Sequence, residues 1–291
     1  MPKINVNKKR GVNARVDLET FWNDNVNLEN PFNTLLPITW GTDIGHVVSE
    51  MPSKERDLFI PIGKNEKGYF TFDLSIGRHI LAGGSMLSGV GMFRRVTLLS
   101  LIKTHTPETL RVILIDPKGL MSSFDDIPHL QFPRAKTAED IIKAIKWCNV
   151  ERNKRFKILE KSKTVSVGHY NKHKAAGDPV IPSIVIFISE LGDLIDIPNF
   201  DTRLYSIASM TRATSMHFVI TTQQPSVSVV TPIIQETFCY RIAFQMPYEA
   251  ESKMFVGQAG AEELLGQGDM LFKIYSNKEA IHLQGLYHPL L

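Results

Sequence analysis

The sequence predicts an α/β fold: a mostly parallel sheet with helices on both faces, preceded by a small N-terminal extension. Three observations point to it. Short, nearly unbroken apolar runs rich in β-branched residues recur along the chain, longer segments of helical period separate them, and a glycine-rich turn directly follows one of the runs. A strand covered on both faces has no solvent side, so it lacks the polar alternation of a half-exposed strand, as expected of parallel sheets.

Residues 1–15 (MPKINVNKKRGVNAR) are charged and Asn-rich without an apolar period, and are expected to form a flexible basic arm. Residues 16–67 are broken by Pro31, Pro37, Pro52 and Pro61, which suits the short strands and turns of a small extension. The main domain is expected over 68–291. Its strands are read at HILAGG (79–84), RVILID (111–116), SIVIFIS (183–189), MHFVITT (216–222), YRIAFQM (240–246) and DMLFKIY (269–275), and its helices at 92–105, 137–161, 199–212 and 248–264. Strand and helix in alternation build a doubly wound sheet, whose ligand site lies at the carboxyl ends of the strands.

The bulk numbers narrow the function classes. A chain of 291 residues can bury a full core, and 33 Lys plus Arg against 30 Asp plus Glu give a formal charge of only +3, so any nucleic-acid contact has to be local. Cys148 and Cys239 form no CxxC and no zinc spacing, and read as buried thiols of a reducing compartment. With no apolar run of membrane length and no apolar segment in Met1–Arg15, the chain is expected to be cytoplasmic, with no intrinsic membrane segment.

The turn after the first apolar run carries the sharpest motif. Gly84-Ser85-Met86-Leu87-Ser88-Gly89-Val90-Gly91 follows the phosphate-loop pattern G-x-x-x-x-G-K-[ST], with both glycines in place and Val90 and Gly91 where Lys and Ser/Thr belong. The lysine of that pattern charges the β and γ phosphates and the hydroxyl ligates magnesium. Valine and glycine do neither. What remains is backbone amides at a helix start, a term of about 0.3–1 kcal/mol, against a lost charge-assisted contact of roughly 1.5–3 kcal/mol. Weak ATP binding or none is expected. Arg94, one helical turn further on, either reaches back to a phosphate or lies with Arg95 on a solvated or inter-subunit face.

Taken together, HILAGG, THTPETLRVILIDPKGL (104–120), DDIPHL (125–130), WCNVERNKRFKIL (147–159), GHYNK (168–172), RATSMHFVITTQQPSV (212–227), RIAFQM (241–246) and GAEELLGQGDMLF (260–272) resemble the motor of the FtsK/SpoIIIE family from about Phe59 to the C-terminus. The resemblance implies a RecA-like P-loop NTPase fold, ATP and magnesium as cofactors, and a hexameric ring of identical or paralogous subunits around double-stranded DNA. It also implies membrane anchors before the motor and a winged-helix module after it, neither of which this sequence carries. The chain is then expected to be a trimmed or minimal relative, or to be recruited to the membrane by a partner.

Carried onto this chain, the family's Asp-Glu pair after the apolar run becomes Ser189-Glu190, so the metal residue is replaced and the catalytic carboxylate kept. Gln223 stands as a γ-phosphate sensor, and Gln224 replaces an arginine. Arg212 matches an arginine directed at the neighbouring subunit's nucleotide, with a helix-end salt bridge as the alternative; Arg241 matches the family tract, Asp116-Pro117-Lys118 is intact, and Ala259 replaces a glycine. No metal ligand set is expected. Two functions stay open: a pseudo-ATPase or regulatory subunit of a DNA-translocating ring, favoured by the joint changes at Val90, Gly91 and Ser189, and an active ATP-driven translocase in chromosome segregation or conjugative transfer, with DNA contacts around Lys161–Lys174. A module of a protein-secretion coupling ATPase is a third.

Overall fold

All six apolar runs are strands of a single 11-stranded sheet in this computed structural model, which describes residues 4–7, 15–16, 58–77, 79–274 and 277–287. In chain order the strands are β1 (Ile4–Asn7), β2 (Arg15–Val16), β3 (Phe59–Asn65), β4 (Gly68–Asp73), β5 (Ile80–Gly83), β6 (Leu110–Ile115), β7 (Ser183–Ile188), β8 (Met216–Thr222), β9 (Tyr240–Phe244), β10 (Asp269–Lys273) and β11 (Ile281–Gln284). They lie side by side as β2-β1-β4-β3-β11-β10-β9-β5-β8-β7-β6. Strands β9, β5, β8, β7 and β6 pair in parallel, and β10 opens an antiparallel half that runs to β2. Strand β5 is central, so the turn that leaves it is flanked by the carboxyl ends of β8 and β9.

The parallel strands are apolar throughout because both faces are covered. Ile113, Ile115, Ile184, Ile186 and Ile188 point to one face, and Val112, Leu114, Val185 and Phe187 to the other, as the two-residue period of a strand requires. Helix α1 (Val90–Thr104) packs Val90, Phe93, Leu98 and Leu101 onto the second face. The first is covered by α2 (Ala138–Ser162), through Ile141, Ala144, Ile145 and Cys148, and by α4 (Phe200–Ala208), through Phe200, Leu204 and Ile207. Between them lies the short α3 (Val167–His173), and α5 (Pro232–Thr237) and α6 (Glu249–Val256) flank β9. Thr137 and Asp140 start α2 with a reciprocal capping box.

The differences from expectation have local causes. Of the run 269–275, residues 269–273 form β10, which pairs antiparallel with both neighbours; a continuous apolar run reports burial on both faces and not strand direction. The helix expected over 199–212 stops at Ala208. There the Thr211 hydroxyl donates back to the Ala208 carbonyl (3.0 Å), His79 Nε2 meets the same carbonyl (3.0 Å), and His79 Nδ1 accepts the Phe218 amide (3.0 Å). The segment 248–264 splits because Gly257 takes the left-handed C-terminal position (φ 78°), and a separate turn forms at Ala261–Glu263. Of the expected N-terminal arm, Ile4–Asn7 pairs with β4 and Arg15–Val16 with β1; the remainder lies outside the described residues, as does most of the segment 16–57.

Candidate functional site

The glycine-rich turn leaves β5 at Gly83 and enters α1 at Val90, and backbone on three sides holds it. The Gly84 amide donates to the Thr222 carbonyl (3.2 Å), the Ser85 amide to Gln245 (2.7 Å) and the Gly268 amide to Ser88 (2.7 Å). The Ser88 hydroxyl, buried, donates to the Ser85 carbonyl (2.6 Å). Gly89 is required by both conformation and space: its φ is +123°, and a Cβ there would stand 2.7 Å from the Gly268 backbone. Helix α1 starts at Gly89 without a side-chain cap, and the uncapped amides of a helix start favour anions. Met86 and Leu87 form an exposed tip, with Leu87 at φ +65°, a left-handed conformation costly for a branched side chain. The Val90 side chain is buried beneath the loop among the apolar residues of α1 and the sheet, so only its backbone belongs to the site.

Glu190 follows β7 and is tied to the end of β8. Its Oε1 accepts the Thr222 hydroxyl (2.6 Å) and the Gly192 amide (3.2 Å), and its Oε2 accepts the Gln223 amide (2.7 Å). Three of about four acceptor positions on the carboxylate are thus taken, leaving one lone pair for a water. Glu190 and Gln223 therefore meet at the mouth of the loop, while Gln224 is exposed. Ser189 turns the other way: its hydroxyl donates to Asp116 Oδ1 (2.6 Å). Asp116 also accepts the Leu120 and Met121 amides (3.0 and 2.9 Å), and Arg134 forks onto Asp125 (2.7 and 2.9 Å) while donating to the Asp116 carbonyl (2.9 Å). Asp116-Pro117-Lys118 is accordingly a turn braced from within, with Lys118 paired to Asp193 (2.6 Å).

Both expectations for Arg94 are corrected. Its side chain neither lies on a solvated face nor extends over the loop; it is 2% exposed. Nη1 donates to the Ser189 carbonyl (2.6 Å) and the Thr221 hydroxyl (3.0 Å), and Nε approaches the Met121 sulfur (3.1 Å). Acceptors at the ends of β7 and β8 hold it there, and a Cβ at position 91 would stand in ordinary van der Waals contact with it, 4.0 Å from Arg94 Nη2. Burial lowers the Arg94 pKa to about 10, with Asp116 and Glu190 opposing the shift, so it remains a cation at neutral pH. Arg95 is half-buried and donates to the Leu120 carbonyl (3.2 Å). Sequence reasoning passed over Thr221 and Thr222, although two hydroxyls at the carboxyl end of a buried strand were a signal.

The remaining candidates lie away from the loop. Arg212 sits in the turn before β8, exposed, with no hydrogen bond or ion pair among the described residues, so the helix-end salt bridge is not formed. It precedes the amino end of β8, a seven-residue strand whose carboxyl end borders the loop about 20 Å further on. Arg241 donates to three carbonyls, of Phe238 (2.9 Å), Phe255 (2.8 Å) and Gln235 (3.1 Å), and acts as a strap for β9. In the segment 161–174 Tyr170 is buried against Leu159 and Val167 and is not free to stack on a base, whereas Lys161, Lys163 and Lys172 are exposed.

A glycine-rich turn between a central parallel strand and a helix, with a carboxylate at the end of a nearby parallel strand, defines a RecA-like P-loop NTPase fold. Residues 49–262 match the family described as FtsK/SpoIIIE, and the chain belongs to that family. The DNA translocase FtsK of Clostridium tetani (strain Massachusetts / E88) is 33% identical over 245 residues, covering 82% of this chain and 33% of that protein. The chain spans about a quarter to a third of the length of the curated relatives it matches. Among solved structures, the pCW3 conjugation coupling protein TcpA, a monomer form with ATPγS, superposes with a TM-score of 0.71 at 23% identity, covering 82% of this chain and 71% of that one. The cytoplasmic domain of the Thermomonospora curvata type VII secretion ATPase EccC gives 0.70 at 21%, covering 89% and 31%. At such identities the likeness is one of fold.

The family implies ATP with magnesium, and the residues here do not fit the metal. Position 91 has no hydroxyl, the Ser189 hydroxyl is committed to Asp116, and the Arg94 guanidinium already neutralises this end of the site. Among the described residues no group of three or more His, Cys, Asp or Glu could hold a metal ion, and no helix is long and apolar enough to cross a membrane.

Proposed function

We propose that this chain is an FtsK-type motor-fold subunit of a DNA-translocating ring that does not turn over nucleotide itself and serves as a regulatory or structural member. The observation that carries the reading is the Arg94 guanidinium, set against Gly91 and bonded to the Ser189 carbonyl at the two positions where the family's metal ligands are replaced. The free, exposed Arg212 supports a role toward a neighbour, since an arginine acting in trans contributes roughly 10³–10⁵ in rate in other NTPases. The relatives' names supply DNA as the polymer.

The test is ATP hydrolysis with magnesium, with and without duplex DNA. The expected result is no turnover by the chain alone and duplex binding that weakens steeply with salt. In rings mixed with an active family member, Arg212→Ala is expected to slow the mixture further. One observation favours an active translocase instead, the Glu190 carboxylate held at the ends of β7 and β8 by the Thr222 hydroxyl and the Gln223 amide. Turnover by the unaltered chain that is lost in Glu190→Gln would establish that alternative, and peptide binding with indifference to DNA would point to a secretion module.

A further inference from the structure

The positive charge of this chain is concentrated on one stretch. Residues 143–174 hold ten Lys and Arg against two Glu, a net +8, although the whole chain carries only +3, so everything outside that stretch sums to −5. Helix α2 sorts these charges by face. Its buried side runs from Ile141 and Ile145 through Cys148 and Arg152 to Leu159; at about 3.6 residues per turn Lys146, Val150, Lys154, Lys157 and Lys161 fall together on the opposite side, all exposed, in a row about 22 Å long. The two arginines of the helix take no part in that row: Arg152 Nη1 donates to the Ser206 carbonyl (2.6 Å), and Arg155 donates to Glu151 (2.9 Å) and to the Thr214 carbonyl (2.8 Å). Beyond the helix Lys163 and Lys172 are exposed, on a segment anchored by the bond from the Val167 amide to the Ala213 carbonyl (2.8 Å).

Among the described residues Lys146, Lys157, Lys161, Lys163 and Lys172 form no ion pair, and Glu151 is held by Arg155. Like charges three and four positions apart, as in Lys154, Lys157 and Lys161, repel, and the helix dipole rewards only the last turn, so the row costs the free subunit stability. Val150 (65% exposed) and Val165 (79%) stand between and beside these lysines, largely open to solvent.

We propose that the outer face of α2, continued by Lys163 and Lys172, docks on an anionic phospholipid membrane, with the lysines at the level of the headgroup phosphates and the two valines in the interface. Charge complementarity calls for an anionic surface, and shape calls for a flat one. With its opposite side packed on the sheet, the helix presents its charges along one line, which a plane meets throughout and the curved surface of a duplex meets at only a few phosphates. Flexible ammonium groups suit phosphates that diffuse laterally, whereas the guanidinium forks, which suit a fixed phosphate, are the ones folded away. Apolar side chains among the lysines add nothing against a phosphate backbone and gain burial at a lipid interface. The inference goes beyond the reading of nucleotide turnover and does not depend on it.

The experiment is sedimentation of the full chain with vesicles of phosphatidylcholine alone or with about one third phosphatidylglycerol, at about 0.1 M and about 0.5 M salt. Binding is expected to the anionic vesicles and at the lower salt. The double variant Lys157→Glu, Lys161→Glu is expected to weaken it at least about tenfold. The double variant Lys103→Glu, Lys278→Glu makes the same change of net charge at exposed positions in the last turn of α1 and between β10 and β11, and is expected to weaken it less than about threefold. Absence of binding to anionic vesicles, equal binding to phosphatidylcholine alone, or equal loss in the two double variants would each overturn the proposal. Loss of duplex DNA binding in Lys157→Glu, Lys161→Glu, with vesicles left unbound by the parent chain, would overturn it as well and assign the face to nucleic acid.

Discussion

Replacing Arg94 by methionine tests whether a buried cation in this fold stabilises it or merely occupies it. Its pKa is lowered to about 10 because burial strips its water, which corresponds to a penalty of about 3 kcal/mol for keeping it charged. The sign follows from a base whose folded pKa is lowered: the penalty is complete below about pH 10 and disappears only as pH rises toward the unfolded value, so at neutral pH it is fully present. Against it stand two charge-assisted hydrogen bonds, to Ser189 and Thr221, worth about 1.5–3 kcal/mol each. Neither acceptor is orphaned in the variant, since the Thr221 hydroxyl continues to donate to the Ser189 carbonyl at 2.6 Å. Methionine fills most of the volume, so Arg94→Met is expected to change unfolding free energy by no more than about 3 kcal/mol. Arg94→Ala adds a cavity and should cost about 2–5 kcal/mol more. Urea denaturation with shared m-values separates the two. Equal and large destabilisation by both variants would refute the reasoning, because it would make the guanidinium's bonds, and not its volume, the thing the core depends on.

Three further outcomes are expected. Cys148 is buried and its thiol is pushed up to about 12 by that burial, so an alkylating reagent at neutral pH should modify Cys239 rapidly and Cys148 only on unfolding; two fast thiols per chain would contradict the packing of α2. Leu87→Gly relieves a left-handed conformation at an exposed position and is expected to raise stability by about 1 kcal/mol, read from the urea midpoint, whereas a loss would mean that the loop is not strained there. The Arg134 fork holds the Asp125 carboxyl below the usual carboxylate range, so its contribution is present above the unfolded carboxylate pKa and is lost as pH falls through the lower folded value. Asp125→Asn should therefore differ from the parent at neutral pH and converge with it in acid, as followed by urea midpoints across that range.

The parallel half of the fold was legible because burial on both faces writes itself into the residues: Val112 to Ile115 and Ile184 to Ile188 have no polar member. The direction of 269–273 was not, since pairing depends on where β11 returns and on nothing in the run itself. The end of α4 was hidden for a similar reason, as His79 and Thr211 meet across 132 positions of sequence to stop it. At the site, Gly84 and Gly89 could be placed in the turn after β5, and Glu190 at the end of β7, by pattern. The course of the Arg94 side chain could not, because its acceptors arrive on β7 and β8, 95 and 127 residues later. A motif states which groups are present in one loop, and the partners that redirect them come from the sheet.

That Arg212 and the glycine-rich loop stand at opposite ends of β8 gives the subunit a direction. Two copies in which the arginine of one meets the loop of the other either lie antiparallel about a two-fold axis, which makes the contact twice, or join head to tail, so that the contact repeats from copy to copy. A chain of such contacts either closes on itself or grows without limit, and each junction belongs half to the subunit that offers the arginine and half to the one that offers the loop. A member able to give but not to receive would silence the one junction in which its own loop is the receiver, and leave the junction on its other side intact.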